Sequence, residues 1–196
     1  YGKQLLTSYG VTIFVTVVGT FLGLMVMAMF AYAISRKGFK LGKFLSVYLL
    51  IPMLFNGGQL SGYIIFTSYY HLKDSLLLLI LPLCVSTMNV IILRTFIVNS
   101  IPAELMEAAK IDGCNESQTT RYIVLPLMRA SFTICMFLTI TRCFMIYDVN
   151  LSLTEGGPYG STVMAAMYVF QKAFSAKQYG VGQTEAIILF IFTAVI

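Results

Sequence analysis

The sequence predicts an all-α, polytopic membrane protein of about five spans. Of its 196 residues, 58% are hydrophobic and only 11% charged, where a soluble domain carries about 25% charge. Its apolar runs reach the ~20 residues needed to cross a bilayer. Its basic residues gather at the ends of those runs. The mean hydropathy is +0.84. A net charge of +5 would suggest nucleic acid for a soluble chain, but basic residues placed beside apolar spans report membrane topology instead. Four cysteines with no CxxC pair, and a single histidine, argue against a zinc site or a disulfide framework. The cysteines read as small apolar residues in helices.

Span one is Val11–Ile34, with Gly19 and Gly23 in a small-xxx-small arrangement that permits close helix approach. It ends at a basic segment carrying Arg36, Lys37, Lys40 and Lys43. Span two is Phe44–Thr67, interrupted by Pro52 and the FNGGQLSG run, Phe55–Gly62. An interrupted helix is tolerated in a membrane where its backbone is buried in protein or lines a cavity, so a kinked packing helix and a pathway element both remain open. Tyr69–Asp74 is a polar turn with tyrosines suited to the headgroup level, and His71 reads as interfacial. Span three is Ser75–Val98, containing Pro82, Ser86, Asn89 and Arg94. A polar island, Glu107–Pro126, follows. Span four is Leu127–Tyr147, with Thr139, Thr141 and Arg142. The segment Asp148–Gly182 holds a short helix over Thr162–Phe174. Span five begins near Gln183 and is truncated, since the apolar run Ala186–Ile196 is short of a full span. With Tyr as its first residue, the chain is expected to be a fragment lacking an N-terminal helix and the end of the last one.

The positive-inside rule places the basic segment after span one and the region Arg94–Arg129 in the cytoplasm. The island is then a cytoplasmic object. Ser100 is a candidate N-cap and Pro102 suits the first turn. Glu104 and Glu107 fall near the positive helix end, and Gly113 is placed to stop the helix, which predicts a helix over Ile101–Asp112. At 100° per residue, Ile101, Leu105, Ala108 and Ala109 share one face, and Glu104, Glu107 and Lys110 the other. Pro126 breaks the chain before span four.

The order of residues in the island is the specific signal. Glu107-Ala108-Ala109, three residues, Gly113, nine residues, Ile123, one residue, Leu125-Pro126 resembles the EAA loop of ATP-binding-cassette importer permeases without a gap. Four further segments resemble the carbohydrate-uptake branch of that family. AYAISRKGFKLGKFL (Ala31–Leu45) and IILRTF (Ile91–Phe96) are similar to one of its two permease types. LTEGGPYGST (Leu153–Thr162) and YGVGQTEAIILF are similar to the other, which usually carries Gly where Glu155 stands. Which type the chain represents is left open.

The resemblance implies a type I importer permease fold, a single transmembrane domain over residues 1–196 with a cytoplasmic coupling helix, in the plasma membrane of a prokaryote. It implies that Glu107, Ala108, Ala109, Asp112, Gly113, Ile123, Leu125 and Pro126 couple to a cytoplasmic ATPase dimer, with Glu107 pairing to an ATPase arginine. It further implies a second permease subunit and an external solute-binding protein as partners. ATP and Mg would be used by the ATPase, with no cofactor on this chain and no catalytic residue; no GxxxxGK[ST] loop is present. Ser86, Asn89, Thr139, Arg142 and Tyr147, with Phe144, are candidates for a sugar path, since intramembrane polar groups face protein or water. For Ser86, Asn89 and Thr139 the alternative is helix–helix bonding, and for Arg142 it is snorkelling outward; Asp148 is a candidate partner of Arg142. Gly156, Gly157 and Pro158 form either a tight turn or a docking surface for the binding protein. Permeases for amino acids, phosphate or peptides share the island but not the GGP segment. A membrane-embedded enzyme would need a cluster of acids or histidines that the chain does not offer outside the island.

Overall fold

Helix α1, Gly2–Ser35, runs for 34 residues in a computed structural model that describes residues 2–36, 39–55, 57–72 and 75–195. Lys37 of the basic segment, Asn56 of the interrupted span, and Lys73 and Asp74 of the polar turn lie outside the described residues. The remaining helices are α2 (Gly42–Leu54), α3 (Gly58–Ile64), α4 (Leu76–Ile80), α5 (Thr87–Ser100), α6 (Ala103–Ile111), α7 (Glu116–Thr119), α8 (Leu125–Leu127), α9 (Arg129–Phe144), α10 (Asp148–Thr154), α11 (Ala165–Phe170) and α12 (Tyr179–Val195). Among the described residues there is no strand, so the all-α expectation holds. One helix, Lys3–Ser35, is long and apolar enough to cross a membrane unaided, and up to three spans result if two bent helix pairs each count as one.

The contacts group into two units. The first comprises Tyr1–Leu22, Gly57–Cys84 and Phe137–Ile196, and the second Gly23–Asn56 and Val85–Met136. In the first unit Val15, Leu79, Ile80, Cys143, Ile146 and Met164 form one core cluster, and Val163, Met167 and Tyr168 another. Here α1 buries a ladder of hydroxyls, Ser8, Thr12, Thr16 and Thr20, at a four-residue step that keeps them on one helix face. Thr12 Oγ1 accepts the Ala165 N–H at 2.9 Å, so it satisfies an amide at the start of α11 that the helix itself leaves unpaired. In the second unit Met27, Ala31, Ile34, Leu49, Val90, Leu93 and Ile97 pack with Val124, Met128 and Cys135.

Several boundaries differ from expectation, each for a local reason. Span one starts earlier than Val11, because nothing in Lys3–Tyr9 breaks a helix. In span two the helix passes through Pro52 and ends at Leu54. The break falls at the glycines, where Gly58 adopts φ +71°, a conformation open to glycine at little cost. Span three is not continuous: α4 tightens into a 3-10 turn, Leu81–Leu83, that contains Pro82, and helix resumes only after Ser86, whose backbone is extended. Proline has no N–H to donate to the preceding turn, which accounts for the interruption. The short helix expected over Thr162–Phe174 is α11 extended by a wide π turn, Gln171–Ser175, and α12 begins at Tyr179, earlier than Gln183. His71 takes φ +52° and Lys177 φ +55°. Each follows a π turn, with the next residue's N–H bonded back across it, Leu72 to the Phe66 carbonyl at 3.1 Å and Gln178 to the Lys172 carbonyl at 3.0 Å. His71 is thus a helix-stop residue.

Candidate functional site

The polar island folds within the second unit. Its helix, α6, starts at Ala103, two residues later than predicted. Pro102 is the N-cap, and Ser100 instead ends α5. Pro102 sets this start because its ring fixes φ and its missing N–H is not needed there. Glu104 sits in the first turn and Lys110 in the last, each complementing the helix dipole. The C-terminus closes as a Schellman motif. The Gly113 N–H bonds the Lys110 carbonyl at 3.1 Å and the Cys114 N–H bonds the Ala109 carbonyl at 2.9 Å, with Gly113 at φ +81°. Immediately after, Asn115 caps α7 in a capping box with Gln118, both bonds being 2.9 Å. A π turn, Thr120–Val124, leads into α8, which contains Pro126. The chain then bends by 66° between Glu116–Leu127 and Arg129–Phe144. The break expected at Pro126 therefore occurs at Met128, two residues on.

The face that the wheel gives to Leu105, Ala108 and Ala109 is mostly open to solvent. Ala109 is buried and Met106 half-buried, whereas Leu105, Ala108 and Ile111 are exposed, Ile111 at 86%. Ile101 lies before the helix and packs against the core. Glu107 and Lys110 line a cavity of about 450 Å³ together with Met106, and with Tyr32 and Arg36 from the end of α1 and Glu116 from α7. The helix thus offers two surfaces: an outward apolar stripe at a three-residue step, and a carboxylate set at the mouth of a cavity. Asp112, Leu125 and Pro126 are exposed and Ile123 is half-buried.

Two contacts were not anticipated from the sequence. Arg36 Nη2 donates to Glu116 Oε1, the one ion pair among the described residues. The hydroxyls of Tyr32 and Thr120 lie 3.0 Å apart. Both partners are four residues apart on their own segments, a signal that spacing alone carried but that nothing paired across the chain.

The candidates for the solute path fall in different units. In the second, Asn89 is buried and its carbonyl accepts from Cys135 Sγ at 3.8 Å. Ser86 is half-buried, and its N–H lies 3.3 Å from Met27 Sδ. In the first, Thr139 and Phe144 are buried. Tyr147 packs against Phe170 with ring centroids 4.7 Å apart and the ring planes tilted by 41°. Arg142 is exposed in the last turn of α9. That helix stops at Phe144, and among the described residues no ion pair joins Arg142 to Asp148.

Gly156 and Gly157 take φ +94° and +60°. A Cβ on Gly156 would come within 2.8 Å of Val163 Cγ2, and one on Gly157 within 2.6 Å of Thr162 Oγ1. The Thr162 N–H also bonds the Gly156 carbonyl at 3.1 Å. Close approach of the chain to itself accounts for both glycines, and Gly156 is buried. Pro158 begins a 3-10 turn. A further residue without a sequence signal is Glu185, buried in the apolar helix α12, whose carbonyl accepts from the Tyr9 hydroxyl at 3.4 Å.

Residues 8–196 match the family described as "Binding-protein-dependent transport system inner membrane component". Among curated relatives, a probable starch degradation products transport system permease protein of Thermoanaerobacterium thermosulfurigenes is 46% identical over 99 residues, covering 50% of this chain and 34% of that protein. A polygalacturonan/rhamnogalacturonan transport system permease protein of Bacillus subtilis (strain 168) is 39% identical over 160 residues, covering 81% of this chain and 55% of that one. The chain thus spans about half the length, or less, of these relatives. A bacterial ABC transporter involved in the import of the acidic polysaccharide alginate superposes with a TM-score of 0.83 at 22% identity, over 98% of this chain and 72% of that one, and so shares the fold.

Proposed function

The chain belongs to the family of binding-protein-dependent transport system inner membrane components, and from that premise we propose that it is the permease subunit of an ATP-binding-cassette importer for a sugar or oligosaccharide. The α6 loop is its docking site for a cytoplasmic ATPase. Family membership supports a membrane transport role, and the names of the relatives support a saccharide as solute. Within the chain, one observation carries the docking assignment: a helix closed by Gly113 that presents Leu105, Ala108 and Ile111 to solvent while Glu107 opens onto a cavity. An apolar stripe flanked by a carboxylate suits a groove with an arginine at its rim. A second permease subunit would complete the path, an external binding protein would deliver the solute, and ATP with Mg would be consumed by the ATPase alone. Closure of the ATPases would move the loops and rock the membrane halves between inward- and outward-facing states.

The test is association of the ATPase with the full-length permease. Glu107→Ala strands a partner charge, and losses at such interfaces correspond to weakening of about thirtyfold or more. Undiminished co-purification of the ATPase with the variant would remove the docking role from Glu107. For Ser86, Asn89 and Thr139 we propose contact with the solute path. Retained uptake of every saccharide transported by the wild type, after each is changed to alanine, would assign them to packing.

A further inference from the structure

The segment AYAISR at the end of α1 has a function in this geometry that the docking assignment leaves unexplained. Ala31 is fully buried in the core of the second unit, so the segment is anchored. Tyr32 and Arg36, one turn apart, face the island loop, as do Glu116 and Thr120, also one turn apart. The pairs run antiparallel, Tyr32 to Thr120 and Arg36 to Glu116. The direction of the hydroxyl bond follows from counting hydrogens. Thr120 already donates its single proton to the Glu116 carbonyl at 2.8 Å, so Tyr32 is the donor and Thr120 the acceptor. A single contact would let the loop swivel about it. Two contacts a helical turn apart fix its orientation as well as its distance. Between them and α6 lies the cavity that Glu107 and Lys110 line.

We propose that Tyr32 and Arg36 are positioning residues that tether the coupling loop to span one, so that displacement of the loop is carried into α1 as a rigid movement. This rests on the reading of α6 as an ATPase-docking helix. It adds a route for the motion, by way of Glu116 and Thr120 rather than through α6 alone. The ion pair is solvent-exposed, with 52% and 67% of its side chains accessible, so the tether weakens as salt rises.

Cross-linking in the assembled transporter, with its ATPases, in lipid nanodiscs tests it. Tyr32→Cys and Thr120→Cys, with Cys114→Ser to remove the neighbouring thiol, are bridged by a short bis-maleimide in nucleotide-free and ATP/vanadate-trapped samples. The expected result is equal bridging in both states, with the bridged transporter hydrolysing ATP within about twofold of the unbridged one. Bridging in only one state, or a loss of hydrolysis of tenfold or more on bridging, would show the loop sliding along α1 and would overturn the tether. In a second arm, Arg36→Glu and Glu116→Arg each lower ATP hydrolysis several-fold while the ATPase still co-purifies, and the double exchange restores it. Failure of the double exchange to restore, or loss of co-purification with Glu116→Arg, would also overturn it. Co-purification with Glu107→Ala is read separately, so failure of the docking reading is distinguishable from failure of the tether.

Discussion

Gly113 has open space where its Cβ would stand, yet its φ is +81°, so the cost of replacing it lies in the backbone. A left-handed conformation costs an L-residue about 1–2 kcal/mol, and Asn pays less than a β-branched residue. Gly113→Val is therefore expected to fray the end of α6 and uncouple ATP hydrolysis from uptake, and Gly113→Asn to keep most coupling. Hydrolysis per solute imported in proteoliposomes checks both. Glu155 presents the converse case. It caps α10 at φ +48°, at the position where the resembling permease type usually carries glycine. Glu155→Gly should relieve strain and raise stability by up to about 1 kcal/mol, seen as a higher unfolding temperature in detergent; a lower one would contradict this. Gly157→Ala should do the reverse, since its Cβ would collide with Thr162.

Among the elements, the island's residue order was legible because Glu107, Gly113 and Pro126 stand at fixed spacings, and the stop at Gly113 follows from residue chemistry, whereas the capping box at Asn115 came only with the structure. The start of α6 was not legible, because Ser100 and Pro102 both satisfy capping preference, and the choice depends on how far α5 runs. The helical wheel grouped Leu105, Ala108 and Ala109 on one face, but only the tertiary packing shows that Ala109 is buried and the other two are exposed. Span two broke between Leu54 and Gly58 rather than at Pro52, and span three broke at the turn that contains Pro82. A proline inside an apolar helix can be accommodated locally, whereas Gly58 takes a positive φ where α3 begins, a conformation open to glycine at little cost. The capping box gives a direct prediction for its own element. Asn115→Ala should cost about 1 kcal/mol locally and accelerate amide exchange over residues 116–120, and unchanged exchange would show that α7 is held by packing alone.

For the whole molecule, hydropathy was enough to read an all-α membrane chain, because charge is scarce and the apolar runs are long. The functional constellation was only half visible. Contacts between residues 32–36 and 116–120 join partners 80 and 88 residues apart, and no local pattern records that pairing. Glu185 was hidden in an apolar string for the same reason. The central claim is that the exposed stripe of α6 meets a cytoplasmic ATPase. The most direct measurement places a photo-cross-linking amino acid at Ile111, which is 86% exposed, in the full-length permease within native membranes, and identifies the adduct by mass spectrometry. The account predicts an adduct with the ATPase subunit. An adduct with the external solute-binding protein, or none with the ATPase while the transporter is assembled and active, would contradict it.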